Sequence, residues 1–217
     1  MLNTGNIIIR KYTAGDRTRV RDISCSTSFL EMSREQIFSD DEILADSLTL
    51  YFTNYEPESC FVAVINNNAI GHIIGSKDAK VMNRITNAKI IPHLFIKALQ
   101  RKVFFKWVNL RFFFYVLRSL LKREFFMPDF SKELPATLHI NIDKTYRGQG
   151  IGEKLIEPYL TYLKQEEIHG VHFGTLSEGA RRFFTKMGFS ILFQSKRTYL
   201  KPYLGEEINF YVFGKKL

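Results

Sequence analysis

The run Tyr146-Arg147-Gly148-Gln149-Gly150-Ile151-Gly152 has the composition of an anion-binding turn. Glycines at 148, 150 and 152 let the backbone curl tightly and approach a ligand closely. Where such a turn opens a helix, free N–H groups point into it at the positive end of the helix dipole, which makes a phosphate cradle. Two other nucleotide loops do not fit. The dinucleotide pattern G-x-G-x-x-G lacks its third glycine, and the Walker pattern G-x-x-x-x-G-K-[ST] is absent. The plain alternative is a glycine-rich turn that holds nothing.

A second group precedes the turn. His139, Asn141 and Asp143 alternate with Leu138, Ile140 and Ile142, so in a strand the three polar side chains share one face. His172 falls on a later strand that can lie beside them. Histidine titrates near neutral pH and suits a general base. The alternative for His139 and His172 is structural, each satisfied by a neighbouring backbone group. Tyr146 serves equally as a packing residue or a donor, and Glu153 and Glu157 read as the solvated face of a helix. Cys25 and Cys60 form no CxxC pair and offer no metal spacing, so no metal is expected.

These residues need elements to position them. Apolar alternation predicts strands over 6–10, 59–66, 69–77, 136–143, 170–176, 191–195 and 208–214. Asn66-Asn67-Asn68 reads as the tight turn of a hairpin. Helices are expected over 16–29, capped by Asp16, over 40–55, capped by Asp40 or Asp41, over 151–167, bent at Pro158, and over 177–187, stopped by Gly188. The strand–helix–strand unit after residue 136 must be parallel, which gives a mixed sheet.

The chain has 217 residues, 45% hydrophobic and 24% charged, as a globular protein does. Two cysteines and an N-terminus without a signal-peptide pattern fit a reducing, cytoplasmic setting. The segment 79–135 stands apart. Its twelve basic and three acidic residues carry the whole net charge of +9, and it is rich in aromatics such as Phe95, Trp107, Phe112 and Phe126. Residues 103–121 have the length of a membrane span, but Lys106, Arg111 and Arg118 interrupt them at a cost of about 2.5–3.5 kcal/mol each at mid-bilayer. Two amphipathic helices near 92–108 and 110–124 are expected instead. Three readings remain open for this insert: a lid or pocket wall, a surface for an anionic membrane or acidic partner, or a structural or homodimer-forming element. Nucleic acid is not expected, because the aromatics sit in apolar runs rather than as spaced stacking platforms.

The pattern R-x-x-G-x-G after a strand, followed by helix, strand and the A-x-x-F-F-x-K-x-G-F helix end (Ala180–Phe189), resembles the GNAT superfamily of acetyl-CoA-dependent N-acetyltransferases over about 136–193. His139-Ile140-Asn141 and Gly170–Gly174 are also similar to the acetyltransferase-like domains related to those fused to O-GlcNAc hydrolases. The resemblance implies a single α/β (α+β) domain over 1–217, with a mixed, splayed sheet flanked by helices and a helical insert at 79–135 between the hairpin and the CoA-binding strand. It implies that the pyrophosphate of CoA lies on the backbone of Arg147, Gly148, Gln149, Gly150, Ile151 and Gly152. The pantetheine arm would pair with Ile140, Asn141 and Ile142 where the parallel strands splay, and a backbone N–H there would polarise the acyl carbonyl. An amine acceptor would attack the thioester directly. Ser177 and Phe184 then fall at cofactor positions where the family often has asparagine and tyrosine. Phenylalanine cannot protonate the leaving thiolate, so His139, Asn141 and His172 are the catalytic candidates. A second reading is an acyl-CoA-binding module of weak or no activity whose basic insert contacts a membrane or acidic partner.

Overall fold

The computed structural model describes residues 6–217. The chain first builds a four-stranded antiparallel sheet in the order β1-β2-β3-β4 (Ile8–Lys11, Phe61–Ile65, Asn68–Ser76 and Thr137–Ile142). Asn66 and Asn67 both take the left-handed backbone, at φ of 49° and 62°, as the β2–β3 hairpin requires. Helices α1 (Arg17–Ser26) and α2 (Asp41–Tyr55) cover one face of this sheet. The Asp40 carboxylate caps α2 by accepting from the Ile43 N–H. Asp16 does not cap α1 with its side chain. It accepts instead from Thr13 and pairs with Arg10, which pins the preceding turn to β1.

The other face is covered by α6 (Ile151–Gln165), which runs unbroken through Pro158. Its Leu155, Ile156, Tyr159 and Leu163 are fully buried against Ala63, Ile73 and Leu138. Each such aliphatic side chain contributes about 1.5–3 kcal/mol through burial. The Tyr159 hydroxyl donates to the Thr137 carbonyl at 2.7 Å, so α6 is tied directly to β4. A three-stranded antiparallel sheet follows, in the order β5-β7-β6 (Gly170–Thr175, Ile208–Lys216, Ser190–Arg197), with α7 (Glu178–Lys186) against it. Ser177 caps α7 at the Ala180 N–H, and Gly188, at φ 76°, stops it.

The expected mixed, splayed sheet is present as two antiparallel sheets. They touch through one parallel pair, Ala136 with Val171, sealed by the Ala136 N–H on the Gly170 carbonyl and the His172 N–H on the Ala136 carbonyl. Beyond that pair β4 and β5 separate, as the family resemblance implies.

The insert differs from expectation in its boundaries. It holds α3 (Ala79–Ile85), α4 (Ile91–Gln100) and α5 (Trp107–Leu121), not two helices at 92–108 and 110–124. Lys102 takes a left-handed backbone at φ 57° and ends α4 early. The Asn109 side chain then fixes the turn, donating to the Val103 carbonyl and accepting from the Ser39 N–H. Lys97 pairs with Asp46 and Glu42, and Arg101 with Asp40, so α4 is clamped to α2. Among the described residues no helix is long and apolar enough to cross a membrane.

Gly75 on β3 lies where the Tyr159 hydroxyl crosses to Thr137, and a methyl group there would meet both. Gly75→Ala is expected to lower the unfolding free energy by about 1–3 kcal/mol, the usual cost of overpacking. Denaturant titration checks this, and an unchanged midpoint would show that Tyr159 gives way without cost.

Candidate active site at the parting of β4 and β5

The site begins with the free edge of β4. The Asp143 N–H bonds to Ile70 on the β3 side, and Ala136 bonds to β5. Backbone groups alternate in direction along a strand. Leu138, Ile140 and Ile142 therefore turn their N–H and C=O groups into the gap, while His139 and Asn141 turn theirs to β3. Of the three residues expected to meet a pantetheine arm, Ile140 and Ile142 present backbone to the gap, and Asn141 presents only its side chain, to the opposite helices.

The gap ends at the glycine turn. Gly148 and Gly150 sit at φ of 76° and 71°, and a methyl group at either would meet nothing within 4 Å, so the turn is open above them. Gly150 occupies the cap position of α6 and, as a glycine, offers no side chain to cap that helix. The first N–H groups of α6 are thus left to whatever anion approaches. The Arg147 Nε donates to the Ile142 carbonyl at 3.1 Å, which folds the arginine back along the end of β4. Gly152 serves packing, because Phe183 would lie 2.9 Å from a methyl group there.

On the sheet face toward α1 and α2, the β3–β4 register sets His72 opposite Asn141 and Ile74 opposite His139. The Asn141 carbonyl oxygen accepts from the Thr27 hydroxyl at 2.9 Å, so its amide nitrogen is the group facing His72 Nε2 at 3.4 Å. The Ser24 hydroxyl lies 3.1 Å from the same nitrogen. Asp143 pairs with Arg19 at 3.3 Å and caps the next turn through Thr145. Burial pushes the Asp143 carboxyl up, but the Thr145 bonds and Arg19 outweigh it and hold the carboxyl below its ordinary value.

The two histidines of this face differ in access. His72 is fully enclosed, and burial together with the nearby His139 pushes it down to about 3. It is neutral at pH 7 and unsuited to taking a proton from substrate. His139 opens to solvent, although protein crowds it and the Phe52 ring stands edge-on at 5.5 Å. Crowding lowers its pKa from the ordinary value. His139 is thus neutral and accessible at pH 7.

The remaining sequence candidates lie elsewhere. His172 shares the His139 face through the Ala136–Val171 pair, but at its closed end. Its Nδ1 is 2.5 Å from the Leu134 carbonyl, and its ring packs near Phe130. That is a structural tie, and it separates His172 from the His139–Asn141 group. Phe184 is buried among Phe173, Phe189 and Phe213, with ring centroids 4.4 Å apart for the first pair, so it is a core residue rather than part of the open gap. Ser177 is spent on capping α7. His72, Ser24, Thr27 and Arg19 were missed from the sequence. The signal available was one histidine inside the otherwise apolar strand Ala69–Gly75.

A recess of about 330 Å³ opens on the same side, between α1 and α2. Arg19, Arg21, Asp22, Asp41, Glu42 and Asp143 line it. Both guanidiniums are already paired with carboxylates, Arg19 with Asp143 and Arg21 with Asp46 and Glu42. The lining is acidic on balance.

The family model of the acetyltransferase (GNAT) domain matches residues 124–191. Among solved structures the chain is similar to SsHAT, with 21% identity, a TM-score of 0.69, and 97% of this chain and 98% of that one covered. It is also similar to a Drosophila melanogaster polyamine N-acetyltransferase that forms N-acetylagmatine, with 14% identity, a TM-score of 0.59, and 98% and 100% covered. A third is yncA, a putative acetyltransferase from Salmonella typhimurium with its cofactor acetyl-CoA, with 12% identity, a TM-score of 0.58, and 97% and 94% covered. No curated protein sequence matches significantly. The chain has the fold of the GNAT acetyltransferases, and the match to their family model falls within residues 124–191.

Two outcomes are expected. Gly150→Glu puts a carboxylate at the uncapped helix end and strains a left-handed position, and is expected to weaken CoA binding about tenfold or more. Titration calorimetry reads this directly, and unchanged affinity in a folded variant would remove the turn from the site. For His72, the folded pKa lies below the unfolded one, so stability is full above about pH 6.5 and falls as pH drops toward 3. The loss through this group is about 2 kcal/mol at pH 5. His72→Asn should flatten the fall in denaturant midpoint between pH 7 and pH 5, and an equal fall would place the titration in other groups.

Proposed function

We propose that this chain is an N-acetyltransferase that moves the acetyl group of acetyl-CoA to a primary amine, with residues 1–217 acting as one unit. The observation that carries the reading is the open edge of β4 leading to the uncapped start of α6. The pyrophosphate lies on the Arg147–Gly152 backbone, and the pantetheine arm adds to the β4 edge at Ile140 and Ile142. An N–H on that edge points at the thioester oxygen and stabilises the charge that grows there.

The amine nitrogen attacks the carbonyl carbon. A C–N bond forms, the C–S bond breaks, and CoA leaves as thiolate while the nitrogen sheds a proton. His139 accepts that proton, directly or through water, because it is the neutral and accessible imidazole of the group. Asn141, held by Thr27 and facing His72, positions the polar face on which the amine arrives. Phe184 supplies no proton, and none is essential. A thiol titrates near 8.5, so its thiolate is a fair leaving group at neutral pH. The acidic recess beside Asp143 suits an acceptor that carries positive charge, as amines do.

His139→Ala is expected to lower kcat about 10²-fold, the low end for general base catalysis, with acetyl-CoA affinity little changed. Because the His139 pKa is depressed, the acid limb of kcat/KM for the wild type should fall below the ordinary histidine value near 6.5. Turnover of a small amine measured across pH 5 to 9 checks both. A variant with wild-type kcat and the same acid limb would return His139 to a packing role.

A further inference from the structure

The basic insert has two apolar faces, and only one is used. On α5 the inner face carries Phe112 and Phe113, which pack against Phe29, Phe38 and Tyr199. Asn109 and Ser119 are fully buried on the same side. The outer face carries Trp107, Leu110, Phe114, Leu117 and Leu121, spaced 3, 4, 3 and 4 residues apart, and all five are exposed. On α4 the outer residues Ile91, Phe95, Ile96 and Leu99 are exposed as well. Phe105 and Phe126, each 80% exposed, flank the two ends of α5 in the chain. A folded chain rarely leaves an apolar surface of this extent open without a use for it.

Charge selects the occupant. Lys102, Lys106, Arg118 and Arg123 are exposed around this face and have no acidic partner among the described residues. A second copy would bring the same cations against these, with no carboxylate on the outer face to meet them. An anionic lipid surface satisfies both features together. Phe, Trp and Leu side chains enter the headgroup boundary, and the surrounding Lys and Arg heads meet lipid phosphates. The charged residues and the 15-residue length of α5 suit a helix lying along the surface rather than crossing it.

We propose that α4 and α5 form a docking face for anionic membranes. On the opposite, packed side of α4, Lys97 bridges to Glu42 on the rim of the α1–α2 recess. Docking would therefore hold the acceptor side of the site near the lipid surface.

Trp107 is the one tryptophan of the chain and is 78% exposed, so it reports contact directly. The full chain is mixed with vesicles of phosphatidylcholine alone, and with vesicles containing phosphatidylglycerol. Anionic vesicles should shift Trp107 emission to the blue, co-sediment the protein, and lose at least tenfold in affinity between low and high salt. Neutral vesicles should bind weakly. Phe114→Glu with Leu117→Glu lies on the outer face, away from the core, and should abolish binding while leaving acetyl-CoA affinity unchanged. Lys102→Glu with Lys106→Glu should weaken it. The proposal is overturned if Trp107 emission does not respond to anionic vesicles at millimolar lipid. It is also overturned if the blue shift occurs without lipid alongside a doubled mass, which assigns the face to a second copy. A response to polyglutamate but not to vesicles assigns it to an acidic protein and overturns it as well.

Discussion

Everything at the site depends on β4 and β5 being joined by one residue pair and no more. Ala136, set opposite Val171, makes the last backbone bonds between the two sheets, donating to the Gly170 carbonyl and accepting from the His172 N–H. Leu134 helps to fix the point of departure, since its side chain lies over Gly170 and Gly214, where any larger residue would collide. Past that wedge, β4 stays with β3 and β5 stays with β7. A strand with one bare edge is ordinarily a liability, because its N–H and C=O groups invite pairing. Here the open edge is short, lies between the sheets, is closed at its far end by Arg147 on the Ile142 carbonyl, and leads to a helix start whose cap residue is a glycine. The gap-facing backbone of Leu138 and Ile140 and the start of α6 border the same gap. That alignment explains why a phosphorylated, amide-bearing ligand such as CoA suits this fold without needing many side chains.

The same geometry sorts the polar residues. His72 and His139 come from adjacent strands and share a face, yet one is sealed under α1 and the other opens to solvent. Burial makes the first a neutral hydrogen-bonding partner and leaves the second available. The difference comes from the packing of α1, whose Ser24 and Thr27 reach the His72–Asn141 pair, while the ring of Phe52 on α2 flanks His139. Helix placement therefore decides which histidine is open to solvent.

Much of this was legible in the residues. The glycines of the turn, the alternation of 138–143 and the asparagine hairpin each express a local rule, and local rules survive folding. The sheet break was visible only through resemblance, because nothing local tells a strand to leave its neighbour after one pair. His172 and Phe184 show the same limit. Their types suit chemistry, but whether a side chain faces a gap or a core depends on strands far away in sequence. The α4–α5 boundary was missed because Lys102 in a left-handed turn is an unusual choice, stabilised by Asn109 from the next helix.

The insert shows how composition can mislead when one helix serves two surfaces. Summed over all its positions, α5 reads as an apolar stretch interrupted by charge, which argues against both a core helix and a span. Resolved by face, the conflict disappears. The Phe112–Phe113 side meets the α2 and β6–β7 regions as a normal core contact, and Arg111 lies over the Tyr203 ring at its edge. The Trp107–Leu121 side keeps a separate, regular apolar row. Folding stability explains only the first face. A row of five large side chains held open by a helix already anchored on its other side gains nothing from the monomer, so its physical explanation must lie in something the monomer meets.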